Sequence, residues 1–344
     1  MTKHFKNERG TVLLTTLLIM TIMAAITVAL MEDIQLSVKR TINVQAYSQA
    51  DWQADGAEDF VTAYLKNDFK DLPPIAKSAL LQAKEPLILP TPDGAITLTL
   101  KDASQCFNLN ALATKEGGRN DEPISEFIRL AELLGLPQNQ AVSLANSLLD
   151  WQDKGQQQSS NGAEDGTYLR KNPPYRTADT SLRSPDELRA VHGMDEDLWE
   201  LFEPFVCTGE AGLTPEINVN AMSGERIIIL AAAFYQNASA SEAVTVAQSI
   251  LQNRPREGFS SKDQIKAAIE AAGLEGVSVS RLGVDVKSVF VEVVTQVGPA
   301  ERARTYRYDN VDDDPKLTYR GWGRESFRPE IETQTESDTE GDAR

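Results

Sequence analysis

The first apolar stretch differs from all that follow. Thr11 to Met31 carries no charge and no proline. As a helix it spans roughly 30 Å, the hydrocarbon thickness of a bilayer. It is too long for the apolar core of a cleaved secretory signal. Lys3, Lys6 and Arg9 precede it, and Glu32 and Asp33 follow. By the positive-inside rule the leader stays cytoplasmic and the bulk of the chain is exported. Beyond the apolar run, Ile34, Val38, Ile42, Ala46, Ala50, Ala57 and Val61 recur near helical spacing, with no proline before Pro73. A membrane helix is therefore predicted to emerge directly as an amphipathic one, to about Lys70. The alternative is an anchor followed by a separate surface helix.

The period then changes. In "PDGAITLTLKDAS", Ile96, Leu98 and Leu100 alternate with threonine and lysine, which predicts a half-buried strand begun at a Pro-Asp-Gly turn. Far downstream, "LGVDVKSVFVEVVTQVG" and "RARTYRYDNV" predict a strand pair, rich in β-branched Val284, Val286, Val289 and Val291, with Gly298-Pro299 at its turn. The long region between these strands reads as helical, and it repeats. "FNLNALA" (107–113) matches "INVNAMS" (217–223), "AVSLANSLLDWQD" (141–153) matches "AVTVAQSILQNR" (243–254), and "SPDELRAV" (184–191) matches "SSKDQIKAA" (260–268). The order is Asn-x-Asn-Ala, helix, helix, then a Ser-capped helix. The first half carries an extra loop, Lys154 to Arg183. The last segment, from Asp312, holds "DDDP" and "TQTESDTEGD" without apolar periodicity and reads as an acidic disordered tail. Trp322 and Phe327 within it are expected to be exposed, with docking as the alternative.

Charge and composition narrow the chemistry. The 344-residue chain carries a net charge of −17, which opposes simple attraction to nucleic acid. The helix pairs around "HGMDEDLWELFEPF" resemble helix-hairpin-helix modules, but three acids follow the glycine, so a membrane-tethered DNA-binding module is the weaker reading. The two histidines are His4, in the leader, and His192. Histidine is the commonest general base, so catalysis is not expected. Cys106 and Cys207 flank the first repeat. An exported compartment permits them to pair, closing a loop worth about 4–5 kcal/mol in the chain-entropy model. Buried free thiols are the alternative. Asn108, Asn110, Asn218 and Asn220 alternate with apolar residues and read as side chains that satisfy backbone groups at a turn into a helix. In the extra loop, Asp150, Asp153, Glu164 and Asp165 offer carboxylates in a polar, glycine-containing stretch. Calcium takes hard oxygen ligands from such loops, although the spacing is not that of an EF-hand.

Arg9-Gly10, followed by Thr11 and aliphatic residues, resembles the prepilin leader of type IV pilins and type II secretion pseudopilins. The resemblance implies cleavage after Gly10 and a methylated Thr11 as the new N-terminus. Most members carry glutamate at the fifth mature position. Here that residue is Thr15, whose hydroxyl can bond to a helix carbonyl and needs no partner. The missing glutamate, with "CFNLNAL", "LLDWQD", "GAEDGTY", "SPDELRAVHG", "INVNA" and "VKSVFVEV", resembles the pseudopilin K family of type II secretion systems.

That likeness implies an α+β fold: a pilin-like N-terminal helix on a small antiparallel sheet, with a large inserted α-helical domain, duplicated and helix-hairpin-helix or SAM-like. It divides the chain into a leader (1–10), a membrane segment (11–31), a pilin-like helix and first strands (32–106), the inserted domain (107–283, repeats 107–206 and 217–283), C-terminal strands (284–311) and the tail (312–344). It implies a non-enzymatic subunit at the tip of the pseudopilus, with structural calcium in the extra loop. Implied partners are pseudopilins I and J, the pseudopilins G and H, prepilin peptidase and the inner-membrane assembly platform. The implied location is the cell inner membrane, single-pass, with a periplasmic C-terminal domain. A minor pilin of a type IV pilus is the near alternative. The glutamine- and serine-rich stretch between Lys154 and Ala163 departs from the family pattern, where acids would help hold a metal.

Overall fold

The computed structural model describes residues 9–323 except 84, 223 and 237. Helix α1 (Arg9–Asn67) joins the apolar and amphipathic segments without a break. Residues 12–45 are exposed on every side. Further out, Ala46, Ala50, Ala54, Ala57, Val61 and Leu65 are buried. Their spacing of three and four residues puts them on one stripe. Alanine at the first four lets the helix lie close to its support. The chain then turns through buried Phe69 into α2 (Pro74–Leu81), where proline at the first position forfeits no helical hydrogen bond. Strands β1 (Leu87–Thr91) and β2 (Gly94–Asp102) form a hairpin whose last pair is Thr91 with Gly94.

The inserted domain follows. Its first repeat runs through β3 (Phe107–Asn108), α3 (Asp121–Leu133), α4 (Gln138–Gln152), the single turn α5 (Asp165–Tyr168), a 3₁₀ segment Pro185–Ala190, α6 (Glu196–Phe202) and β4 (Val206–Cys207). The second runs through β5 (Ile217–Asn218), α7 (Ile227–Ala232), α8 (Ala240–Gln252), α9 (Lys262–Ala271) and β6 (Leu282–Gly283). In each, the first and last strands meet in a two-residue parallel bridge, Phe107 to Val206 and Ile217 to Leu282. The matched serines, Ser184 and Ser261, cap the matched segments. Helices this short are marginal alone. They pool their apolar faces in one core that includes Phe127, Leu148, Phe202, Phe234 and Ile250.

The chain returns to the first sheet with β7 (Ser288–Val297), β8 (Ala300–Asp309) and β9 (Lys316–Trp322). The sheet order is β1-β2-β7-β8-β9, antiparallel throughout. Val61, Leu65 and Phe69 pack on Leu98, Val289, Val291, Val293, Tyr306 and Tyr308. The expected α+β architecture is the one observed: a long helix on an antiparallel sheet, with a helical domain inserted between β2 and β7.

Two boundaries are corrected. The C-terminal strands begin at Ser288, because Leu282 and Gly283 close the second repeat and Val284 packs on the helical core. The expected tail from 312 is strand over Lys316–Trp322, paired with β8. As an edge strand with a register irregularity at Arg307/Tyr308, it buries too little to show a clear alternation. Residues 324–344, with Phe327, lie outside the described residues.

Candidate functional site

The extra loop occupies one joint of the repeated plan. Asn110 and Asn220 are buried, and each amide holds the strand that enters the Ser-capped segment. Asn110 Oδ1 accepts from Leu182 N at 2.8 Å, and Asn220 Oδ1 accepts from Phe259 N at 2.7 Å. Between the preceding helix and that anchor, the second repeat needs only residues 253–258, whereas the first spends 153–181. Asn108 donates to the carbonyls of Glu210 and Leu213. Asn218 donates instead to Asp102 Oδ2 at 2.9 Å and to Ser78 Oγ, joining the second repeat to the sheet and α2.

Three of the four predicted carboxylates converge in the loop. Asp150 lies in the last turn of α4, Asp153 caps that helix, and Glu164 caps α5. One ligand atom from each lies within 4.8 Å of the others. Asp150 is fully buried, and both its oxygens accept from Ser159 N at 3.1 Å. A Cβ at Gly162 would stand 2.1 Å from Asp150 Oδ2, so the loop passes only as glycine there. Glu164 accepts from Asp165 N, while its buried Oε1 has no hydrogen-bond partner among the described residues. Burial, and then the Asp150 charge, push Glu164 up to about 7. Burial also raises Asp150 and Asp153 above the ordinary carboxylate value.

Asp165 is corrected: it does not join the group. Its carboxylate accepts from Arg176 at 2.8 Å, Thr177 N at 3.1 Å and Thr177 Oγ1 at 3.0 Å. Desolvation pushes its pKa up, but these bonds and the Arg176 charge outweigh that and hold it low. Asp179 was not expected at the site. Its charge contributes to the raised pKa of both Asp153 and Glu164, which places it in their field. It accepts from Thr177 Oγ1 at 2.9 Å, with its backbone at φ 51°. Asp179 lies late in the same loop, and only the fold brings its charge near Asp153 and Glu164; its neighbours in sequence carry no metal pattern.

Behind the carboxylates, Trp151, Tyr168 and Tyr175 pack edge-on and tilted, with Lys171 over both tyrosines. An all-oxygen set with an orphaned buried carboxylate oxygen fits a hard divalent cation.

The other predicted residues fall as follows. Gly10 and Thr11 lie in the first turn of α1. Thr15 Oγ1 donates to Val12 O at 2.9 Å. Cys106 and Cys207 are joined by a disulfide, with Ala103 and Phe290 packed around it. The helix from Val12 is long and apolar enough to cross a membrane.

A helix rooted in apolar surface, laid on an antiparallel sheet that carries an inserted helical domain, defines a pilin-like protein. A family profile for type II secretion system protein K matches residues 105–210. The chain is 33% identical to the type II secretion system protein K of Aeromonas hydrophila, over 87% of this chain and 92% of that one. It is 35% identical to that of Klebsiella pneumoniae, over 74% and 77%. The chain belongs to the type II secretion system protein K family. Its structure is similar to a chain of the solved GspK-GspI-GspJ complex from enterotoxigenic Escherichia coli, with a TM-score of 0.64 and 26% identity, over 83% of this chain and 99% of that one.

Proposed function

We propose that this protein is a non-enzymatic minor pseudopilin that sits at the tip of the type II secretion pseudopilus and initiates, then caps, the fibre during protein export. Pseudopilins I and J are its lateral partners, and G and H form the shaft below. One observation carries the reading. Thr15 satisfies its hydroxyl on its own helix, so it offers no carboxylate to the ammonium of a subunit stacked above. The inserted domain adds bulk that successive levels of a thin fibre would not accommodate. The apolar half of α1 is a single-pass inner-membrane anchor before assembly, and prepilin peptidase cuts after Gly10. Immunogold labelling of sheared fibres should find the protein at ends alone, and regular labelling along the shaft would refute the tip assignment. N-terminal sequencing of membrane-extracted protein should begin at Thr11, and an intact leader in cells that have the peptidase would refute processing.

We also propose structural calcium in the extra loop. Asp150, Asp153 and Glu164 would hold it, with Asp179 adding charge to the same field. The ion would supply the positive charge that lets neighbouring buried carboxylates stay ionised together. Elemental analysis of purified protein tests this directly. Absence of any bound metal, with a melting temperature insensitive to EDTA, would reject the site.

A further inference from the structure

Asn161-Gly162, in the extra loop, is the one Asn-Gly pair in the chain. In such a pair the glycine nitrogen can attack the carbonyl carbon of the asparagine side chain, because the second residue carries no side chain to block it. Asn161 is exposed and sits in the left-handed region at φ 59°, whereas Gly162 is buried.

A row of side chains on α4 straps this pair down. Ser143, Asn146 and Asp150 are spaced by three and four residues and so share one face of the helix. Ser143 Oγ donates to Asn161 O at 2.8 Å, and Asn146 Nδ2 donates to Ser160 O at 2.8 Å. The Asp150 carboxylate accepts from Ser159 N at 3.1 Å. Successive residues of the loop are thus held by successive polar groups of one helix face. Arg119 Nη1 donates to Asn146 Oδ1 at 2.9 Å, which fixes the end of the amide that faces the loop. Two further bonds lock the turn. Gly162 N donates to Ser159 O at 2.9 Å, and Gln158 Nε2 donates to Gly162 O at 2.6 Å. In the second repeat the matched positions are Thr245, Gln248 and Gln252, and Thr245 Oγ1 bonds to Ser241 O on its own helix.

We propose that Asn161 is a site of spontaneous deamidation that this strap holds closed, and that its conversion permanently unfastens the loop. While strapped, the Gly162 nitrogen is buried and engaged with Ser159 O, so it does not reach the Asn161 side chain. Once released, it attacks Cγ of Asn161. The N–Cγ bond forms, the Cγ–Nδ2 bond breaks, and the glycine amide proton leaves with Nδ2 as ammonia. Water then opens the cyclic imide at either carbonyl, which gives aspartate or isoaspartate. Both products add a negative charge next to Gly162. Isoaspartate also adds one atom to the main chain there, where the fit is tightest: a Cβ at Gly162 would stand 2.1 Å from Asp150 Oδ2. The strap therefore cannot close again in its old register. Asp150 belongs both to the strap and to the carboxylate group, so a bound calcium ion would hold the strap shut. That link alone rests on the calcium reading above.

The test incubates full-length protein in detergent micelles for days at neutral pH, with calcium, with EDTA, or unfolded in urea. Peptide mass spectrometry reads the exchange of ammonia for water at Asn161. Conversion should be fastest in urea and slowest with calcium. Ser143→Ala combined with Asn146→Ala should convert about tenfold faster than wild type in the same buffer, because slow chemistry samples the open loop in proportion to its population. Ser143→Ala alone removes one hydroxyl from a half-buried position and should act in the same direction. Asn161→Gly keeps the left-handed turn, removes the reacting group and should show no mass change at that position. Wild type converting as fast when folded as in urea, or strap variants converting no faster than wild type, would overturn the proposal. Faster conversion in the strap variants, with wild type alike in calcium and EDTA, would uphold the strap and count against the calcium reading.

Discussion

The two repeats of the inserted domain solve one problem with different means. Each must tie the end of its second helix to the Asn-x-Asn turn. In the second repeat Arg254 does this, its guanidinium donating to the carbonyls of Val219, Asn220 and Met222. In the first, the matched residue is Gln152, whose amide reaches Leu109 O at 3.1 Å. Val219 and Leu109 are themselves matched positions. A charged tie and a short joint in one repeat thus face a neutral tie and a carboxylate-lined loop in the other. The scaffold does not need the loop to close, so the loop is free to carry an added role. The closures also differ. The first bridge is reinforced by the Cys106–Cys207 disulfide, and the second by the Asn218 contact to Asp102.

The disulfide gives the largest test of that difference. The Cys106→Ser, Cys207→Ser double variant should lose about 2–5 kcal/mol in urea unfolding, because the bond closes a long loop. An unchanged midpoint would show that the first bridge closes unaided. Next come the paired asparagines. Asn110→Ala strips partners from Leu182 N, Leu182 O and Gly209 O, and Asn220→Ala from Phe259 N, Phe259 O and Val284 O. Each should cost about 2–4 kcal/mol, since buried backbone groups are left unsatisfied. Losses that differ widely would mean the repeats are alike in sequence but not in energetics.

These asparagines also show how far the sequence speaks. Their spacing and their serine-capped companions made the duplication readable, because a short motif with one backbone geometry repeats as a unit. The long helix was readable for the opposite reason, an uninterrupted pattern over many turns. β9 was not, because Leu317 and Tyr319 alternate with Lys316, Thr318 and Arg320 over too few residues beside an acidic turn. In the extra loop, Asp150, Asp153 and Glu164 were legible as acids in a long polar stretch. Asp165 stands apart from that cluster and Asp179 was missed, because which acid turns inward depends on Arg176 and Thr177, and their positions follow from the tertiary fold.

A smaller effect separates the loop from the scaffold by pH. Burial and the neighbouring Asp150 charge push the Glu164 carboxyl up to about 7 in the folded chain, above its ordinary value near 4.5. Between those values the folded state holds more protons than the unfolded state. Metal-free stability should therefore fall as pH rises from about 5 to 7.5. Glu164→Gln should remove that slope and stabilise the metal-free protein at pH 8 by about 1–2 kcal/mol, after allowing for loop relaxation. The same variant should bind calcium more weakly in calorimetric titration. A slope that persists in Glu164→Gln would assign it to other groups.

The smallest expected change in fold breaks the comparison outright. Asp150 through Ser181 can be replaced by the matched joint, Gln252 through Gly258, which restores an arginine at the Gln152 position. Asn110 would then meet the same backbone geometry that Asn220 meets at Phe259, and the new arginine could reach Leu109 O as Arg254 reaches Val219 O. The cost is the apolar surface that Trp151 and Tyr168 now cover, so the variant should melt below wild type. It should nevertheless fold, with helical circular dichroism close to that of the wild-type scaffold. Its melting curve should be identical with calcium and with EDTA. Retained calcium sensitivity would place the ion elsewhere in the chain. Failure to fold, with Asn110 and Leu182 intact, would show that the loop is part of the first repeat's closure and that the two repeats are not interchangeable.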